Sequence, residues 1–90
     1  MKYKSEDYKL LLKVKGKVLL MFRLHAGFKS ANSFAEHIYM HSCQYTGYEK
    51  GGNIEITTLK FILDKLNIPM DIYWVEVMRQ YNEILKLKAA

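Results

Sequence analysis

Gly27-Phe28-Lys29-Ser30-Ala31-Asn32-Ser33-Phe34-Ala35-Glu36-His37-Ile38-Tyr39-Met40-His41-Ser42-Cys43-Gln44-Tyr45-Thr46-Gly47-Tyr48-Glu49-Lys50-Gly51 is the stretch on which the fold turns. Ser30 is a residue type whose hydroxyl satisfies an orphan amide at a helix start. Phe34, Ala35 and Ile38 then supply the inward face of a helix of little more than two turns. Tyr39-Met40-His41 does not continue that pattern. A second short helix can begin at Ser42, with Tyr45 and Tyr48 three apart and facing inward, and stop before Gly51-Gly52. Two short helices joined by about three residues are compatible with a helix-turn-helix, and equally with any small helical bundle.

Upstream, Ser5-Glu6-Asp7 suits a helix start, with the acids placed where the helix dipole favours negative charge. Tyr8, Leu11, Leu12, Val18, Leu19 and Phe22 recur at the helical period. Gly16 interrupts them where apolar and basic residues alternate, which leaves a kink, a break or a short extended piece open there, two helical pieces that can run together being the favoured reading. Gly27 suits the left-handed position that ends the second piece. Downstream, Thr57 is the expected cap of a helix carrying Leu59, Ile62, Leu63 and Leu66 on one face. Asn67-Ile68-Pro69 ends it, with Pro69 in the first turn of a last helix. That last helix bears Trp74, Val77, Met78, Tyr81 and Leu85 down one side. No internal repeat or low-complexity segment is present.

Ninety residues, half of them hydrophobic and 26% charged, make one domain over 1–90 and leave no room for a second. Apolar runs such as Val18 to Phe22 are broken by Lys or Arg far short of the roughly 20 residues that span a bilayer, so no membrane association is expected. The first residues, Met1-Lys2-Tyr3-Lys4, lead into nothing resembling a signal peptide, so the expected location is cytoplasmic. Cys43 is the sole cysteine, which excludes an internal disulfide. The formal charge of +5 favours an anionic partner, nucleic acid first. The excess is local. Residues 1–29 hold eight Lys or Arg against Glu6 and Asp7, whereas 30–69 sum to −1 and 70–90 to zero.

The stretch Gly27 to Gly51 resembles the DNA-binding unit of the Xre family, the phage Cro and repressor type. Phe34 and Ala35 match its apolar-then-small pair, Ile38, Met40, Tyr45 and Tyr48 its apolar wedge, and Tyr48-Glu49-Lys50-Gly51 its apolar, Glu, any residue, Gly ending. Ile56-Thr57-Thr58-Leu59 with Ile62, Leu63, Leu66 and Ile68-Pro69-Met70-Asp71 looks like the family's fourth helix and the entry to its fifth. The resemblance therefore covers about 17–74, with the motif at about 30–50. It implies an all-α, compact five-helix repressor-like bundle with a central helix-turn-helix and extended helical segments at both ends. Ala31 stands where the family usually has Gln on a phosphate, and Tyr39 where it commonly has a left-handed Gly.

In that family the second motif helix enters the major groove, and here it presents His41, Ser42, Cys43, Gln44, Thr46, Gly47 and Lys50 outward. With no Arg among them, base reading falls to Gln44, Ser42, Cys43 and His41, Gln44 foremost because its amide pairs bidentately with adenine. Lys29, Ser30 with the amides of its helix start, Lys50 and Asn53 are the expected phosphate contacts. His37, His41 and Cys43 are metal-ligand types, but the turn separates the histidines and no fourth ligand is near, so no metal and no cofactor is expected. Cys43 lacks a neighbouring base that would make it a redox sensor. No catalytic arrangement is evident, and no enzyme is expected. The distal half of the last helix outruns what a bundle this small can cover, so Met78, Tyr81 and Leu85, joined by Phe61 and Tyr73, form a candidate homodimer surface. The expected function is sequence-specific binding of double-stranded DNA by a dimeric transcriptional regulator. The alternative is a protein-interaction or antitoxin-like module on the same scaffold, with a protein partner and weak DNA binding.

Overall fold

In the computed structural model, which describes residues 5–89, the helical periods become five helices: α1 (Ser5–His25), α2 (Ala31–His37), α3 (Ser42–Glu49), α4 (Ile56–Lys65) and α5 (Met70–Ala89). The described residues contain no strand. The pieces on either side of Gly16 run together, α1 being continuous over 21 residues with neither a break nor an extended piece there. Gly16 is instead a packing site. A Cβ there would press on the Glu49 carbonyl and stand 2.9 Å from the Tyr48 carbonyl oxygen, so the missing side chain lets the end of α3 lie directly on α1.

Four helices end in the same way. The residue two past the last helical one is left-handed at Gly27 (φ 95°), Tyr39 (58°), Gly51 (102°) and Asn67 (59°). In each case the next amide reaches back to a carbonyl of the last turn: Phe28 to Arg23, Met40 to Ala35, Gly52 to Gly47 and Ile68 to Leu63. This satisfies carbonyls that the helix leaves orphaned and turns the chain sharply into the next element. The starts are less uniform. Ser30 caps α2 as expected, its Oγ accepting from the Ser33 amide at 3.0 Å. The expected cap at Thr57 is not used, since α4 begins at Ile56 with Glu55 before it and no side-chain cap bond. Pro69 stands one residue ahead of α5, its carbonyl accepting from the Tyr73 amide. The side chains of Ser5 and Glu6, named above as a helix start, lie outside those described.

One core joins all five helices. Val14, Val18 and Leu19 of α1 meet Phe34, Ala35 and Ile38 from α2 and its exit, Tyr45 of α3, Leu59, Ile62, Leu63 and Leu66 from α4 and its end, and Tyr73 and Val77 of α5. Tyr8, counted above in the apolar period of α1, is about half exposed, whereas Val14, outside that count, is buried. Tyr73 corrects a second expectation. Offered above as a dimer contact, it is 1% exposed, and its hydroxyl donates to the Lys15 carbonyl at 3.0 Å. Its position belongs to the inner face because α5 packs on α1 as well as on α4.

Candidate nucleic-acid interface

The Phe34 and Tyr45 rings, 5.0 Å between centroids and steeply inclined, fasten α2 to α3, and Phe28 packs edge-on to Phe34 from outside. With Tyr45 fully buried, the opposite side of α3 must face solvent. There Ser42, Cys43, Thr46, Gly47 and Lys50 line one open depression of about 450 Å³, and Asn32 of α2 closes its far side. Five of the expected contact residues thus converge on one surface. Asn32 is a sixth that the sequence reading passed over. Its signal was positional, since it lies in the first turn of α2 beside Ala31, the residue standing where a phosphate-binding Gln was sought.

The remaining expected residues lie around this surface rather than in it. Lys29 is exposed just before the α2 cap, and Ser30 forms that cap, its hydroxyl also 2.9 Å from the Ser33 hydroxyl. His41 is exposed at the α3 N-cap position and makes no side-chain cap bond. Gln44, the foremost expected reader, is exposed on the flank of α3, where its amide donates to the Tyr48 hydroxyl at 2.8 Å. Asn53 is exposed beyond the Gly51-Gly52 turn and does not line the depression. Gly47 has nothing within 4 Å of where a Cβ would stand, so no packing requirement within the chain explains a glycine there.

Of the expected dimer residues other than Tyr73, Met78 is exposed, Tyr81 and Leu85 are half-buried, and Phe61 is exposed with the Lys65 ammonium over its ring. Ile72 and Val75 of α5 are also exposed and were not foreseen.

The basic excess of 1–29 is sorted by the fold. Arg23 is 4% exposed, its Nε donating to Glu49 at 2.6 Å, one terminal nitrogen to the second Glu49 oxygen at 3.2 Å, and the other to the Phe28 carbonyl at 2.7 Å. These bonds to Glu49 raise the guanidinium above its already high ordinary value. Beside the pair, burial, reinforced by the Glu49 carboxylate, pushes the Tyr45 phenol far above its usual range. Lys15 sits over the Trp74 ring at 5.5 Å, and burial lowers its pKa. Arg23 and Lys15 are therefore spent inside the protein. Lys9, Lys13 and Lys17 point outward, while Lys2 and Lys4 lie outside the described residues.

Among the described residues, no three His, Cys, Asp or Glu side chains gather where a metal could bind, and no helix is long and apolar enough to cross a membrane. No family model, curated protein or solved structure matches the chain.

Proposed function

We propose that the chain is a sequence-specific double-stranded DNA-binding protein of the Xre type, in which α2 and α3 form the helix-turn-helix of a dimeric regulator that occupies an operator. The observation that carries this reading is the convergence of Asn32 of α2 with Ser42, Cys43, Thr46, Gly47 and Lys50 around one open depression beside α3. Four of these side chains are small, so the helix axis can come close to base edges in a major groove about 12 Å wide. Gly47 permits the closest approach, which gives its absence of a side chain a purpose outside the chain. Asn32 carries the amide that pairs with adenine, Ser42 and Thr46 bring hydroxyls, and Lys50, Lys29 and Ser30 hold phosphates. Gln44 joins them on releasing the Tyr48 hydroxyl.

A protein-interaction or antitoxin-like role is the second reading. It is favoured by the concave shape of the α3 surface, which receives a protruding group as readily as it enters a groove, and by the exposed Ile72, Val75 and Met78 on α5.

Selection of bound sites from a randomised duplex pool at near-physiological salt decides between them. The expected result is a two-fold symmetric site with half-sites about ten base pairs apart. Asn32→Ala combined with Lys50→Ala should abolish the enrichment while leaving the helical content unchanged. Recovery of unenriched DNA alone, released by modest salt, overturns the sequence-reading assignment and favours the second reading.

A further inference from the structure

The five described cations of α1 divide into two sets. Lys15 and Arg23 turn inward, one onto the Trp74 ring and one onto Glu49. Lys9, Lys13 and Lys17 recur every fourth residue, are exposed, and form no ion pair among the described residues. Their Cα atoms therefore climb one flank of the helix in steps of about 6 Å.

The position of the flank gives it a use. Gly51, directly after Lys50, rests on α1, with its Cβ position 3.6 Å from the Lys13 Cα and from the Leu12 carbonyl. Lys50 lines the α3 depression. A second depression, of about 240 Å³, is lined by Lys9, Leu10, Lys13 and Lys88 of α5. The Gly51 contact on Lys13 thus joins the chain at Lys50 to the lysines of the first half of α1. Leu10, the one apolar residue lining that second depression, is packed against the core.

We propose that the exposed lysine flank of α1 is a phosphate-tracking ladder, in which Lys9, Lys13 and Lys17, with Lys88 beside Lys9 and Lys13, follow the duplex backbone that flanks the groove occupied by α3. The inference rests on the DNA-binding reading of the α2–α3 surface and adds to it a second contact region. The ladder supplies affinity without reading bases, because ammonium groups on phosphates carry no sequence information.

The test measures duplex affinity against salt for the full chain, using a selected site and a scrambled duplex of equal length, with anionic phospholipid vesicles as a third probe. The triple variant Lys9→Gln, Lys13→Gln, Lys17→Gln keeps good helix formers on an exposed face. It is expected to make the log–log salt slope shallower by about 2.7, at roughly 0.9 for each phosphate no longer neutralised, on both duplexes alike and with the selected sequence unchanged. Lys60→Gln with Lys65→Gln, on α4, should leave the slope unaltered. If the wild type selects a site and the triple variant keeps the full slope, the ladder is wrong and the α2–α3 reading stands. Equal loss from the α4 pair also overturns the ladder, since diffuse charge then explains the binding. Binding to vesicles but to neither duplex overturns the ladder and the reading beneath it, as does binding to none of the three.

Discussion

Tyr39 occupies a left-handed backbone position, φ 58°, with its side chain 98% exposed, so no packing offsets a conformational cost of about 1–2 kcal/mol. Tyr39→Gly removes that cost and adds the entropic loss of a glycine, so a net gain of about 0.5–1 kcal/mol is expected in urea denaturation. A fall in stability would show that the exposed ring contributes to the fold. The two buried phenols make a contrasting pair. Tyr73 donates to the Lys15 carbonyl, whereas the buried Tyr45 hydroxyl makes no protein hydrogen bond. Tyr73→Phe should therefore cost about 1 kcal/mol, the net worth of one buried hydrogen bond, while Tyr45→Phe should be near neutral or stabilising. The same denaturation series measures both. At this scale the sequence was readable where a residue acts on its own neighbours. Ser30 as a cap and Gly27 as a terminator both follow from local chemistry. Tyr73 was assigned to the surface because its burial depends on which second helix covers α5, and that does not show in the period of α5 alone.

Helix ends and helix contacts separate by the same criterion. The glycine ends at 27 and 51 were legible from residue type, the left-handed end at Tyr39 only through the resemblance that has a Gly there, and α4 began before Thr57 without using its hydroxyl. Gly16 shows the limit most clearly. Its propensity argues for a break, yet its reason is the end of α3 lying against it, far along the chain. The Arg23–Glu49 pair belongs to this scale too, since it ties α1 to α3 with side chains 5% and 10% exposed. Glu49→Gln leaves Arg23 buried with half its compensation gone, and a loss of about 3–5 kcal/mol is expected in thermal or chemical unfolding. Replacing both partners, Arg23→Met with Glu49→Leu, should recover most of it. If the double replacement is as damaging as the single one, the pair is not the source of the loss.

For the whole molecule the charge count was readable and its geography was not. Counting gave an excess in 1–29, but folding withdraws Arg23 and Lys15 from it and lays Lys9, Lys13 and Lys17 along one flank. Five of the residues that the resemblance placed on the outer face of the second short helix line its depression, whereas Asn32 joins them only once α2 is set across α3. The core has a pH signature of its own. Burial raises the phenol pKa values of Tyr45 and Tyr73 in the folded state, while in the unfolded chain they ionise near 10. Stability should be complete below about pH 10 and decline as pH rises beyond it, because the unfolded chain releases protons that the folded one retains. Denaturation midpoints across that range check this, and Tyr45→Phe with Tyr73→Phe should flatten the decline.

The three-way grip of Arg23, on both oxygens of Glu49 and on the Phe28 carbonyl, has a consequence for how the molecule opens. One planar group bridges the last turn of α1, the chain leading into α2, and the last turn of α3, so none of these can peel away while the others stay in place. The two shortest helices, which alone would fray, should open only when α1 opens. In deuterium exchange, the central amides of α3 should then be protected to the same free energy as those around Val18, as one cooperative unit rather than a loose appendage.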